Sequence, residues 1–498
     1  MADGPFIYRF SRDLRLDDHA GLAAAAARGT VLPLLVIDRT LEARLARSPR
    51  RAAFFCAAVR ALDGELRERG SALIVRRGAA GATIKNVANA VGAGGAAWSA
   101  SYDGVAVQSD ARLQSELEEA GLIATIVHDG PAIGPEETAA ARSIAGQGYR
   151  AFAPYYEAWC ELPVPSYEQP VLLRFAPTEL HSEPLPVPNE FGAGDREAEA
   201  GPAVARDALV RFMRDGVTQY ALAAMLPSDD RTSHLAPHLS FGTLSARTVV
   251  REVRTRLAED AFLLAEERQS LRRYLRALAH RDFFLQLSWF HPQTETQALQ
   301  EKMQGFSFER SHAALDAWRG GNTGFPLVDA GIRQLHETGW MHPHVRAVAA
   351  SFLCFDLGVD WRIGRDEWER WLIEDDPALA TGNWQWIAGV GADMAQYPRI
   401  YNPERQRRRY DPDGRYVRRW IRELEHVPIG IWHGGRADSS QLVLELFSPQ
   451  RYPSPAVDHE RAAREFLARY RAFVNPRETR FSSGSSTDRP AVADRSSR

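Results

Sequence analysis

Lysine is almost missing from this 498-residue chain: Lys85 and Lys302 are the only two among 61 basic residues. Arginine carries the rest of the positive charge, and its planar fork suits phosphate and carboxylate better than a point-charge ammonium does. Cysteine is scarce too. Cys56, Cys160 and Cys354 are odd in number and far apart, which excludes a four-thiolate iron–sulfur or zinc centre and argues against a disulfide framework. No apolar run approaches the 18 residues of a membrane-spanning helix. The chain enters FIYRF directly, without a basic, apolar, small-residue leader, so the cytoplasm is the expected compartment. Net charge is −3, which alone speaks against nucleic acid, although clustered basic residues outweigh a net value. What remains is ordinary globular composition, 45% hydrophobic and 25% charged, in a chain long enough for two or three separate cores.

Residues 5–130 alternate short β-rich apolar runs with helical periodicity. FIYRF, VLPLLVI (31–37), ALIVRR (72–77), the segment around Ala97–Tyr102 and LIATIVHD (122–129) read as strands. Ser48–Arg69 and Asp110–Ala120 read as helices between them, and such alternation predicts a parallel α/β sheet. GAGG at 92–95 lacks the third glycine and the later acid of a dinucleotide loop. The stretch 162–205 is rich in Pro, Glu and Gly without periodicity, and the signal from about Pro202 to Tyr470 is helical. The expected layout is a doubly wound α/β domain over 1–131, a long connector over 132–205, a larger all-α domain over 206–475, and a disordered tail over 476–498.

Seven of the twelve tryptophans (Trp318, Trp340, Trp361, Trp368, Trp371, Trp384, Trp386) crowd into 69 residues. That density means a very bulky core or a path for electrons and stacked rings. Around them run TGFPLVDAG, TGWMH, ASFL, DWR, NWQW, RIYNP and DPDG in that order, and FSRDLRLDDHAGL opens the chain. The string resembles the DNA photolyase and cryptochrome family, outside its iron–sulfur branch. The resemblance implies FAD in the helical domain, an antenna domain at the N-terminus, and UV-damaged DNA as partner of a monomeric, membrane-free protein.

Carried over residue by residue, it places Tyr220, Thr232, Ser233, His234, Leu235 and Ala236 around the FAD diphosphate, where short hydroxyls and free amides suit an anion. His234 stands where the family has arginine, with Arg231 as a substitute. Tyr274, Ala277, Arg281, Arg346, Glu374, Asp376 and Ala380 would complete the flavin shell. A buried Arg346–Glu374 pair would tune the cofactor, and Ala380 removes the side-chain amide that usually faces the flavin N5. Trp384 and Trp361 match the inner two tryptophans of the photoreduction chain. The outer one is Phe308, so the reading turns to Trp340 or Trp371 to complete the path. On the lesion side, Ala277 replaces the glutamate that holds a pyrimidine dimer, His280 replaces the stacking tryptophan as a catalytic candidate, and Pro343 follows Met-His between His342 and His344. Trp386, the second base-stacking ring, is kept.

Nine arginines between Arg399 and Arg422, interleaved with Tyr401, Tyr410, Tyr416 and Trp420, suit phosphate contacts; Arg399, Arg407 and Arg408 are the DNA-binding candidates. Tyr102–Asp110 keeps the family's antenna spacing. Val105 and Ala106, in place of polar groups, argue against folate and leave a deazaflavin-type second chromophore, or none, open. The resemblance thus implies a blue-light photolyase acting on UV-induced pyrimidine lesions through an altered pocket. The alternatives are a cryptochrome-like photoreceptor without repair and a flavoprotein using the fold for other redox chemistry.

Overall fold

FIYRF and VLPLLVI are apolar nearly throughout, as strands covered on both faces must be. In the computed structural model they form β1 (Phe6–Phe10) and β2 (Val31–Ile37) of a five-stranded parallel sheet, with β3 (Ile74–Arg77), β4 (Gly95–Ser99) and β5 (Ile123–Val127). The structure describes residues 4–141, 147–167, 173–177, 180–310, 312–393, 398–432 and 452–474; the tail expected over 476–498 lies outside them. Strand order is β3-β2-β1-β4-β5. Pro33 is tolerated within β2 because pairing to β3 begins only at Leu34, opposite Ile74.

Helices cover both faces. They are α1 (Ala20–Ala26), α2 (Arg39–Ala46), α3 (Pro49–Glu68), α4 (Ala80–Val91) and α5 (Gly104–Glu119). Phe54, Phe55, Val59 and Leu62 of α3 pack with Tyr8 and Phe10 on one side. Ile84 and Val87 of α4 and Leu113 and Leu117 of α5 pack with Ile7 and Leu34 on the other. The doubly wound architecture is as expected. Three helices escaped the sequence reading, α1, α2 and α4. α1 and α4 are alanine-rich runs that each hold a glycine, Gly21 and Gly81, inside the helix, and Gly92 closes α4 at φ 68°. The helix expected over 110–120 starts earlier, at Gly104, because the Asp103 side chain caps the Ala106 N–H at 2.9 Å.

The remaining helices are α6 (Pro135–Ala140), α7 (Phe152–Glu161), α8 (Pro202–Arg211), α9 (Tyr220–Ala223), α10 (Ala236–Ser240), α11 (Ala246–Glu259) and the 26-residue α12 (Ala265–Phe290). They continue as α13 (Leu315–Arg319), α14 (Pro326–Thr338), α15 (Pro343–Ser351), α16 (Trp361–Trp368), α17 (Pro377–Ala388), α18 (Pro403–Tyr410), α19 (Arg415–Trp420) and α20 (His459–Val474). Part of the connector belongs to this helical unit: Phe152, Tyr155 and Trp159 of α7 are buried against Tyr274, Phe283 and Leu287 of α12. FAPYYEAWC carries enough aromatic surface to join a core.

The two units dock closely. Gly242, at φ 63°, lies so near the β1 loop that a Cβ there would stand 2.4 Å from the Arg12 carbonyl oxygen. Leu14 N–H donates to the Phe241 carbonyl at 3.0 Å, and Arg15 to that of Gly242 at 3.0 Å. Among the described residues no helix is long and apolar enough to cross a membrane, and no cluster of His, Cys, Asp or Glu is built to hold a metal.

Candidate active site

Two acids on one short segment organise the site. Glu374 and Asp376 flank the start of α17, where Asp376 is the N-cap and Pro377 the first helical residue. Arg346 of α15 donates to Glu374 Oε1 at 2.6 Å and to the Met341 carbonyl at 2.8 Å. The second oxygen, Glu374 Oε2, is buried without a partner. A buried unpaired carboxylate oxygen is costly, so it marks a place for a donor that the chain does not itself supply. Asp376 lies 3.7 Å from the Arg281 guanidinium, and burial raises its carboxyl above the usual range against the pull of Arg281 and Arg12. Arg281 also donates to the carbonyls of Gly130 (2.7 Å) and Leu239 (3.2 Å).

The loop before α10 is set for an anion. Thr232 Oγ1 donates to Asp230 Oδ1 at 2.8 Å, and His234 Nε2 sits 2.7 Å from Asp230 Oδ2. The Asp230 carboxylate thus stands among the loop's donors where a phosphate oxygen could. Ser233 hydrogen-bonds Tyr274, and the Tyr274 ring meets that of Tyr220 edge-on at 4.9 Å. Leu235 is buried and Ala236 exposed at the head of α10. His234 adopts φ 51° and packs on Trp340 at 4.5 Å. Arg231 is exposed and turns to Asp229 and Gln219.

The tryptophan path takes a different turn from the expected one. Trp384 lies on the inner face of α17 against Gly364 of α16, where a Cβ would stand 2.3 Å from its ring. Its ring partner is Trp368, 4.6 Å away and tilted 56°, and Trp368 in turn stacks on Trp318 at 6.1 Å and 15°. Trp361 is buried under the guanidinium groups of Arg362 and Arg365, at 4.6 and 5.3 Å. Nearby cations make a ring harder to oxidise, by about 3 kcal/mol each at an effective dielectric near 20, an effect that Asp360 and Asp366 partly offset. Phe308, at the outer position, stacks on Phe466 of α20. Trp340 packs on His234 and His342, and Trp371 on His336. The ring that meets Trp384 is Trp368; sequence pairs Trp384 with Trp361 and offers Trp340 or Trp371 only in place of the outer ring at Phe308.

The residues expected on the lesion side are aromatic and lightly polar. Ala277 and Ala380 are half-buried. His280 lies flat on Phe152, ring centroids 3.4 Å apart and 8° from parallel. Burial, helped by Arg276, lowers its pKa to about 4, so the imidazole is neutral at pH 7, a packing ring rather than a ground-state proton donor. His344 meets Tyr410 edge-on at 4.2 Å, and burial lowers its pKa to about 4 too. Trp386, on the outer side of α17, is 42% exposed, unusual for a ring of that size.

Of the DNA-binding candidates, Arg399 and Arg408 are exposed, Arg408 alongside Glu404. Arg407 is not available: it is 2% exposed, bound to both Glu404 oxygens and set over the Trp432 ring. Its place three residues before Tyr410 on the inner face of α18 makes it structural. Asp110, the end of the antenna spacing, also faces inward and accepts from Ser101 N–H (2.8 Å) and Trp98 Nε1 (3.1 Å).

Where the order of strands reverses, between the C-terminal ends of β1 and β4, a narrow polar cleft opens, lined by Ser11, Arg12, Asp103, Ser240, Arg281 and Asp376 among others. Ligands of doubly wound sheets sit at that switch point. Sequence reasoning missed Asp375, Arg44, Arg51 and Trp368 as members of the site. The three adjacent acids EDD at 374–376 were the available signal.

The architecture is that of a two-domain protein, a doubly wound α/β domain docked on a helical domain that carries the Arg346–Glu374 pair. Two family models match the chain: DNA photolyase over residues 6–171 and the FAD-binding domain of DNA photolyase over residues 274–472. The deoxyribodipyrimidine photo-lyase of Halobacterium salinarum is 35% identical over 480 residues, covering 92% of this chain and 97% of its own length. Among solved structures, a class III photolyase from Agrobacterium tumefaciens superposes with TM-score 0.83 at 27% identity (95% of this chain, 98% of that one). An archaeal photolyase from Sulfolobus tokodaii with two FAD molecules gives TM-score 0.76 at 26% identity (94% and 99%). The chain belongs to the DNA photolyase and cryptochrome family.

Proposed function

We propose that this protein is a FAD-dependent DNA photolyase that repairs UV-induced pyrimidine lesions by light-driven electron transfer. The observation that carries the reading is the Arg346–Glu374 pair with its unsatisfied buried oxygen beside Asp376 and Arg281, in a chain that matches a named photo-lyase over nearly its whole length. When bound, FAD supplies the light-absorbing electron donor.

The chain's own groups hold, stack and exclude. Thr232, Ser233 and the amides at the head of α10 receive the diphosphate, Tyr220 and Tyr274 wall it in, and Arg346, Glu374, Asp376 and Arg281 bind the polar edge of the ring system. Ala380 offers no side-chain hydrogen bond there. Trp386 is the shelf on which a base flipped out of the duplex stacks. His280 and Phe152 form the opposite apolar wall. Arg399, Arg408 and the other exposed arginines of 405–422 grip the phosphates. Trp384, Trp368 and Trp318 form a buried chain of rings that carries an electron toward the pocket from a donor beyond Trp318. The cleft at the switch point suits a second chromophore of flavin or deazaflavin type. We take the protein to work as a monomer in the cytoplasm.

The test is chromatographic. FAD-loaded protein is mixed with duplex DNA carrying either a cyclobutane thymine dimer or a (6-4) product, under blue light and in the dark. Restored thymines in the light alone support the reading and name the lesion. Loss of neither lesion, with FAD bound and photoreducible, moves the assignment to a photoreceptor.

A further inference from the structure

The three adjacent acids take different partners: Glu374 binds Arg346 at 2.6 Å, and Asp376 lies 3.7 Å from Arg281. Asp375 points to the domain boundary and is held there at every polar group. Arg44 of α2 grips both carboxylate oxygens at 2.9–3.2 Å, and Arg51 of α3 lies 3.4 Å away. The Asp375 carbonyl accepts from Arg12 at 3.0 Å, and its N–H donates to Ser240 Oγ at 2.7 Å. Arg44 and Arg12 also share Asp103, at 2.8 and 3.3 Å.

The grip extends along the whole approach to α17. Arg51 donates to the carbonyls of Glu369 (3.0 Å) and Glu374 (3.1 Å), Arg47 pairs with Glu369, and Arg50 donates to the carbonyls of His336 and Glu337. Arg12, Arg44, Arg47 and Arg51 of the α/β domain thus converge on the short stretch that presents the two flavin-facing acids, while Arg50 holds the end of α14. Asp375 is 4% exposed, and although burial works to raise its carboxyl, Arg44, Arg51 and Arg12 hold it far below the usual range. A carboxylate this confined fixes the backbone on both sides of it. It also belongs to a dense charge set: Arg12, Arg44, Arg51, Arg281 and Arg346 against Asp103, Glu374, Asp375 and Asp376.

We propose that Asp375 and the arginines that hold it, Arg44 above all, are positioning residues for Glu374 and Asp376, through which the α/β domain takes part in setting the reduction potential of the bound FAD. The inference rests on FAD occupying the pocket. An interdomain glue would serve stability only. A positioning and charge-setting device also acts on the cofactor, and its two halves act with opposite sign. Neutralising Asp375 leaves excess positive charge near the flavin and favours the electron-rich form; removing the Arg44 charge leaves excess negative charge and disfavours it.

The measurement is a spectroelectrochemical titration of FAD in the full-length holoprotein, for wild type, Asp375→Asn, Arg44→Gln, Arg44→Lys and the Asp375→Asn/Arg44→Gln double variant. Expected is a higher potential for Asp375→Asn and a lower one for Arg44→Gln, each changing the oxidised-to-reduced ratio at fixed potential about tenfold, equivalent to about 1.4 kcal/mol. Arg44→Lys and the double variant return toward wild type. Should Arg44→Gln fail to fold, Arg12→Gln removes charge from the same cluster with the same expected sign. Unchanged potentials, or shifts of one sign in both single variants, overturn the inference. A wild-type chain that takes up no FAD would instead sink the cofactor reading on which it stands.

Discussion

The proposed flavin edge and the proposed lesion side share one helix, α17, yet they are built by different means. At its N-terminal end Asp376, Glu374 and Asp375 are bound by arginines from α2, α3, α12 and α15. Nearly three turns on, Trp386 stands 42% exposed, and on α12 His280 lies flat on Phe152. Charge in fixed geometry specifies the first region; ring surface specifies the second. Paired buried charges tolerate little change, because removing one partner leaves the other desolvated and alone. Ring-lined walls tolerate substitution so long as area and shape survive. A pocket can therefore lose its glutamate and tryptophan while the cofactor edge beside it stays intact.

The comparison breaks most visibly at Arg346. Arg346→Ala strands Glu374 and should cost roughly 3–5 kcal/mol, with FAD absent from the purified protein; an unchanged melting temperature together with full flavin content would contradict this. Next in size is the relay. Trp384→Phe and Trp368→Phe should each slow photoreduction with a thiol reductant on the order of tenfold or more, and Trp361→Phe should slow it less. Steady illumination followed at 450 nm decides the order, and a larger effect at Trp361 would restore the route expected from sequence.

On the other side of α17, Trp386→Ala should weaken binding of lesion-bearing DNA by about 1–3 kcal/mol while leaving flavin content alone, as fluorescence anisotropy would report. Arg399→Ala or Arg408→Ala should each lower the salt dependence of DNA binding by about one phosphate contact. Arg407→Ala should leave that slope unchanged and lower the melting temperature. The smallest effect concerns pH. Burial lowers His280 and His344 to about 4, so both stay neutral from pH 6 to 8, and the repair rate should be flat there apart from DNA binding. A rise toward pH 6 that disappears in His280→Asn would give the imidazole the proton-donor role that its packing argues against.

Much of this was legible in the chain. Continuous apolar runs announced the parallel strands, and the ordered tryptophan motifs placed the helical domain and its acids. What sequence could not give were directions. Trp368 sits one position among seven tryptophans, and only the packing of α16 on α17 through Gly364 shows that it meets Trp384. Arg407 looks like its eight arginine neighbours until α18 turns it inward onto Trp432. Asp375 reads as one of three acids, and nothing local says that its partners lie more than 300 residues earlier. Helix α1, rich in alanine, carries little of the apolar periodicity by which a helix is read from sequence.

The account stands on a working lesion pocket made of rings in place of the family's glutamate. Its most direct test is the rate at which blue light restores thymines from a cyclobutane dimer, measured on the FAD-loaded wild type beside Ala277→Glu. The account predicts light-dependent repair by the wild type, altered only modestly by the added carboxylate. A wild type that binds FAD and repairs nothing, while Ala277→Glu repairs, would contradict it.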